Sequence, residues 1–252
     1  MIGTIAAREL RLLFLSPLAW SLLAVVMFIL GWLFLTQLDL FMVYQPQLAT
    51  LESPPGATEV IVMPLFSSAT IILLLIMPLL TMRLVSEERR YRTLPLLLSA
   101  PLSMSEIILG KYLGVLSFVL LLLLFVALLL LSLLTVGSLD LGLLATGLLG
   151  LLLISAAFAA AGLFISTLTD QPAVAAVASF GLLLLLWVID IGGREMREGA
   201  VGTVLQYLSL QRHYEPMLQG LLRSSDLIYF LLFIGTFLIL AVRRLDADRL
   251  RG

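Results

Sequence analysis

Six stretches of this chain run for 16 residues or more without a charged side chain, and no other feature limits its fold so severely. They cover 17–38, 60–82, 112–136, 141–169, 172–189 and 227–242. A helix of about 20 apolar residues crosses the ~30 Å hydrocarbon core of a bilayer. The last run, with 16 residues, is short of a full span. Arg243 and Arg244 follow it directly and can snorkel to the headgroups. Lipid offers no partners to open backbone groups, so these segments must be helices, and the alternation of a barrel strand is absent. Only 12% of the residues are charged, against about 25% in soluble domains. The expected fold class is an all-α polytopic membrane protein with six transmembrane helices in one domain, 1–252.

The same sequence removes several chemistries. It has no cysteine, hence no disulfide framework, thiolate metal site or cysteine nucleophile. Its one histidine, His213, leaves no zinc-binding cluster and reads as a loop residue at headgroup level. Fifteen basic residues stand against sixteen acidic ones, without the basic excess of a nucleic-acid surface, so no nucleic-acid partner is expected. The N-terminus lacks a small-residue cleavage site, so the first run is expected to remain as a span.

Lys and Arg set the orientation. Six spans put both termini on one side, together with Arg8, Arg11, Arg83, Arg89, Arg90, Arg92, Lys111, Arg243, Arg244, Arg249 and Arg251. Only Arg194, Arg197, Arg212 and Arg223 face the other side. Both termini are therefore expected in the cytoplasm.

The first outer loop, 39–59, carries SPPG and reads as an irregular, solvated connection. The turns GSLD and TDQP are too short for a site. Two connections are longer: 83–111 inside and 190–226 outside. The inner one reads RLVSEERRYRTLPLLLSAPLSMSEIILGK. Thr93 offers an N-cap and Pro95 a first helical turn for a short apolar helix over 94–99. Ser103 and Glu106 then have the form of a capping box that opens the third long helix. The apolar LPLLL either lies in the lipid interface or docks into a groove of a soluble partner. At the N-terminus, 1–16 sets Ile5, Leu10 and Leu13 against Arg8, Glu9 and Arg11. This is either an amphipathic helix in the inner interface or a charged anchor that fixes topology.

The run SEERRYRTLPLLLSAPLSMSEIILGKYLG resembles the signature of type-2 ABC transporter permeases, closest to the gliding-motility and nitrous-oxide-accessory branch. Glu87, Glu88, Arg89, Thr93, Leu96, Leu97, Pro101, Leu102, Glu106, Gly110 and Lys111 fit the pattern. Arg92 stands where glycine is usual and Pro95 where glutamate is common. The resemblance implies a bacterial inner-membrane subunit of an exporter, without ATPase activity of its own. It implies that 86–111 is a cytoplasmic coupling segment docking on an ABC ATPase, with Arg92 to Ala100 as the coupling element and Glu87, Glu88, Arg89 and Arg90 as its charged neighbours. The N-terminal helix with Arg8, Glu9 and Arg11 would pack beside it. Partners would be two ATPase copies, a second identical or related permease, and an auxiliary periplasmic or membrane subunit. ATP and Mg would be bound by the ATPase; this chain would bind no cofactor.

The residues agree on the missing ATPase site. The only Gly-Lys pair, Gly110-Lys111, has Ser105 and Tyr112 where a Walker loop needs Gly and Ser or Thr. Mid-membrane ionisable groups, which ion-driven carriers keep, are absent. A gradient-driven carrier or an assembly scaffold without an ATPase partner is the alternative. Outside, amphipathic pieces over 196–208 and 214–222, broken by QRHYEP, are either short helices capping the pathway or a solvated loop. Small residues of the fourth span, Gly147, Gly150, Ser155, Ala159 and Gly162, suit close packing within the subunit. Pro64 and Pro78 can bend the second span beside a polar route, with Ser67, Ser68 and Thr70 between them as lining candidates; Thr36 and Gln37 are others.

Overall fold

The computed structural model describes residues 1–48, 56, 58–93, 103–135, 139–195 and 206–249. All regular structure among them is helical. Helix α1 (Ile2–Leu15) is divided from α2 (Pro17–Leu48) at Ser16, whose extended backbone suits a residue preceding proline. A π-helical turn, Thr58–Val62, leads into α3 (Met63–Thr81), and a short α4 (Ser86–Arg90) follows. Then come α5 (Met104–Leu131), α6 (Leu141–Ser166), α7 (Pro172–Glu195), α8 (Leu210–Leu218) and α9 (Ser224–Arg249). Six of these helices, α2, α3, α5, α6, α7 and α9, are long and apolar enough to cross a membrane.

Four helices extend beyond their charge-free runs, α7 among them, which continues from Ile189 to Glu195. Helix α2 continues through Asp39 to Leu48, so the first half of the expected irregular loop is helical. One exposed acid followed by Leu40, Phe41, Met42, Val43 and Tyr44 gives the backbone no reason to stop. Helix α5 starts eight residues before its apolar run because the capping box closes. Ser103 Oγ accepts from the Glu106 N–H at 3.2 Å, and Glu106 Oε2 accepts from the Ser103 N–H at 3.0 Å. Helix α9 has 26 residues, about 39 Å at 1.5 Å per residue. The shortfall of the last run disappears once its polar ends are counted.

The core sits around α6. Its central window is 67% buried, against 22% for α2 and 17% each for α7 and α9. A methyl group added at Gly147 would lie 2.3 Å from the Phe66 ring, and one at Gly162 would lie 2.2 Å from Thr81 Oγ1. Helix α3 thus packs on α6 at a distance that only glycine permits. Ser155 and Ala159 are buried in the same stripe.

Candidate functional site

At the charged end of the bundle, α3 stops at Thr81 and the chain turns before α4. Five residues cannot hold a helix alone. The turn is secured from across the bundle by Ser166, the last residue of α6 and fully buried. Its hydroxyl donates to Met82 O at 3.2 Å and accepts from the Val85 and Ser86 N–H groups at 3.0 and 3.1 Å. The other end of α4 closes in a Schellman motif: the Arg92 N–H donates to Arg89 O at 3.0 Å and the Thr93 N–H to Glu88 O at 2.9 Å. Arg92 holds φ 55, the left-handed region where glycine is at ease. The departure from the permease pattern at this position therefore has a conformational meaning. The Thr93 hydroxyl also donates back to Glu88 O, at 3.3 Å, so among the described residues it serves the end of α4.

Two ion-pair clusters flank this short helix. On one side Lys111, 3% exposed on α5, donates to Glu88 Oε1 at 2.7 Å and to Glu9 Oε2 of α1 at 3.5 Å. On the other, Arg89 donates to Asp248 near the end of α9 and lies 3.7 Å from Asp170, in the turn between α6 and α7. Arg244 supports Asp248 from one turn away, at 3.7 Å. Five amino acids thus join the N-terminal helix, the third and fourth spans, the turn after α6 and the last span. The N-terminal helix and the end of α9 both lie here. Glu87 and the exposed Arg90 make none of these pairs.

Helix α1 rests on the first turns of α5. Added methyl groups would lie 2.6 Å from Ile5 Cβ at Gly110 and 2.6 Å from Glu9 Cβ at Gly114. This close approach brings Glu9 within reach of Lys111, while Arg8 and Arg11 stay exposed. A half-open cavity of about 440 Å³ remains between α1, the start of α2, the end of α3 and α4. Leu96, Leu97 and Pro101 lie outside the described residues, as do Pro95 and the remainder of the expected 94–99 helix.

The lining candidates separate differently. Thr36, Ser67 and Thr70 donate to carbonyls of Trp32, Met63 and Phe66, four residues back in their own helices. Thr70 is enclosed by its own bundle, 2% exposed. Ser68 is half-buried, and Gln37 carries a buried Oε1 without a hydrogen-bond partner. At the far end the expected break at QRHYEP is instead continuous helix, α8, started by the Ser209 hydroxyl accepting from the Arg212 N–H at 3.1 Å. His213 is accordingly no loop residue. It is buried, bonded through Nδ1 to Ser209 O at 2.9 Å, and stacked on Tyr229 at 3.9 Å. Tyr214 inserts beside Gly150 and donates to Phe66 O at 3.4 Å; burial pushes its phenol pKa up.

Ser166, Asp170, Asp248 and Arg244 were invisible as site residues in the sequence. A serine ending an apolar span carries no signal, and the tail RRLDADR shows at most an Arg244–Asp248 spacing of four. The match with known families covers nearly the whole chain: the model for the ABC-2 family transporter protein fits residues 4–249. No curated protein matches it.

Proposed function

The chain belongs to the ABC-2 transporter family, and from that premise we propose that this permease subunit forms half of an export pathway driven by a separate ATPase. The branch we propose is the gliding-motility and nitrous-oxide-accessory one, which its signature run most resembles. The membrane is the bacterial inner membrane, with both termini in the cytoplasm beside two ATPase subunits, which alone bind ATP and Mg. A second copy of this chain or a related permease supplies the other half, joined by an auxiliary subunit.

The observation that carries the reading is the double clamp on α4. This helix lies just before Arg92 to Ala100, the expected coupling element. Glu88 ties it to Lys111, which also holds Glu9, Arg89 ties it to Asp248 and Asp170, and Ser166 holds its start. A push on the coupling element by an ATPase reaches α4 through a hydrogen-bonded turn and passes to the ends of α1, α5, α6 and α9 together. Close-packed elements respond to such loads by moving as bodies rather than by bending gradually. The helix ends then shift as a unit, and the route between two permease halves opens or closes.

Copurification tests the partner: the chain, expressed with its genomic neighbours, brings down an ATPase. Coupling is tested at Glu87 and Arg90, because alanine at Glu88 or Arg89 also breaks buried pairs. The exchange Glu87→Lys with Arg90→Glu is expected to separate ATP hydrolysis from transport and to leave the melting temperature unchanged. Undiminished coupling in that variant, or a purified complex without an ATPase, overturns the reading.

A further inference from the structure

The cavity at the charged end combines two linings that rarely meet. Its wall toward the spans is built from leucines, Leu12 of α1 and Leu79 and Leu80 of α3 among them. Among the described residues its rim carries three bases, Arg8, Arg83 and Lys111, and three acids, Glu9, Glu87 and Glu88. Ser16 and Ala19, where the first span begins, line it too. The void therefore straddles the boundary between the apolar spans and the charged end, at the depth of lipid headgroups. About 440 Å³ is within the roughly 300–1,000 Å³ of small-molecule sites.

The rim charges are not used up internally. Lys111 is engaged by Glu88 and Glu9. Glu88 keeps its second oxygen, Oε2, buried and without a hydrogen-bond donor. Among the described residues Arg8 and Glu87 have no ion pair, and Arg83 has only a long contact, 3.5 Å, to Ser16 Oγ. A purely anionic group would face three carboxylates here, and a purely cationic one three bases.

We infer that this cavity binds one zwitterionic aminophospholipid of the phosphatidylethanolamine type. The primary ammonium pairs with Glu87, the phosphate is held by Arg83 and Arg8, and the first acyl carbons lie on the leucines of α1 and α3. Three donors on a compact ammonium distinguish this headgroup from choline, which offers no N–H, and from glycerol, which offers no positive charge. The site needs only the membrane and this chain, so it stands independently of the ATPase assignment.

The test is lipid retention by the full chain, purified in mild detergent and exchanged into nanodiscs of phosphatidylcholine doped with phosphatidylethanolamine or phosphatidylglycerol. Native mass spectrometry after a delipidating wash counts what stays bound. Phosphatidylethanolamine is expected to be retained about tenfold over the other two, the effect of one charge-assisted hydrogen bond. Glu87→Gln removes that preference and Arg83→Gln lowers retention of all three lipids alike; both lie outside the Lys111 pairs and leave the melting temperature unchanged. Leu12→Trp, at a half-exposed position, fills the void and abolishes retention while the chain stays folded. Equal retention of phosphatidylcholine overturns the ammonium contact, and a preference for phosphatidylglycerol overturns the zwitterion. A wild-type chain that holds no lipid, with a partner subunit cross-linking into the cavity, shows a protein occupant and refutes the site.

Discussion

Lys111 Nζ stands 2.7 Å from Glu88 Oε1 with Glu9 Oε2 3.5 Å away, one buried ammonium joining three separate helices. Removing one partner of such a cluster leaves uncompensated charge with little water, a loss of about 3 kcal/mol. Lys111→Met is expected to lower stability by that order in a detergent melt. Adding Glu88→Gln to it restores most of the loss. Strictly additive losses would show that the three groups do not interact.

Arg92 pays for its left-handed backbone at the end of α4. A non-glycine residue there costs about 1–2 kcal/mol. Arg92→Gly is expected to raise stability by about 1 kcal/mol, and Arg92→Ala, which keeps the Cβ, to leave it nearly unchanged. A comparable gain from alanine would place the effect in the side chain instead of the backbone.

Ser166 serves two buried N–H groups and one carbonyl at the start of α4. Ser166→Ala leaves the two N–H groups without partners, at about 1–3 kcal/mol, while Met82 O keeps the Ser86 hydroxyl as a donor. Hydrogen exchange locates the damage: the Val85 and Ser86 amides are expected to exchange faster, while those in the middle of α6 keep their protection. Unchanged exchange at 85 and 86 would mean that another group replaces the hydroxyl.

Gly147 and Phe66 test the closeness of α3 and α6. Gly147→Ala drives a methyl group into the ring, an overpacking cost of about 1–3 kcal/mol. Phe66→Leu removes the ring and makes room. The double variant is expected to lose less than the sum of the singles, by about 1 kcal/mol. A cycle that closes on zero would show that α6 simply shifts away.

The six spans, the all-helical class and the start of α5 were legible along the chain. Each is local: a charge-free run must satisfy its backbone inside its own segment in lipid, and Ser103 and Glu106 are three residues apart. The signature run also pointed to Glu88, Arg89 and Lys111, as members of a coupling segment and not as ion-pair partners. Tertiary structure alone decided those roles, because the partners of α4 lie tens to more than a hundred residues away, at Glu9, Ser166, Asp170 and Asp248. A lysine in the run before Tyr112 looks the same in sequence whether it is solvated or buried. Only the docking of α1, through Gly110 and Gly114, closes it in. The same holds at the far end: QRHYEP is polar and contains a proline, signals of a break. Packing of His213 on Tyr229 and of Tyr214 against α6 makes it one face of a helix.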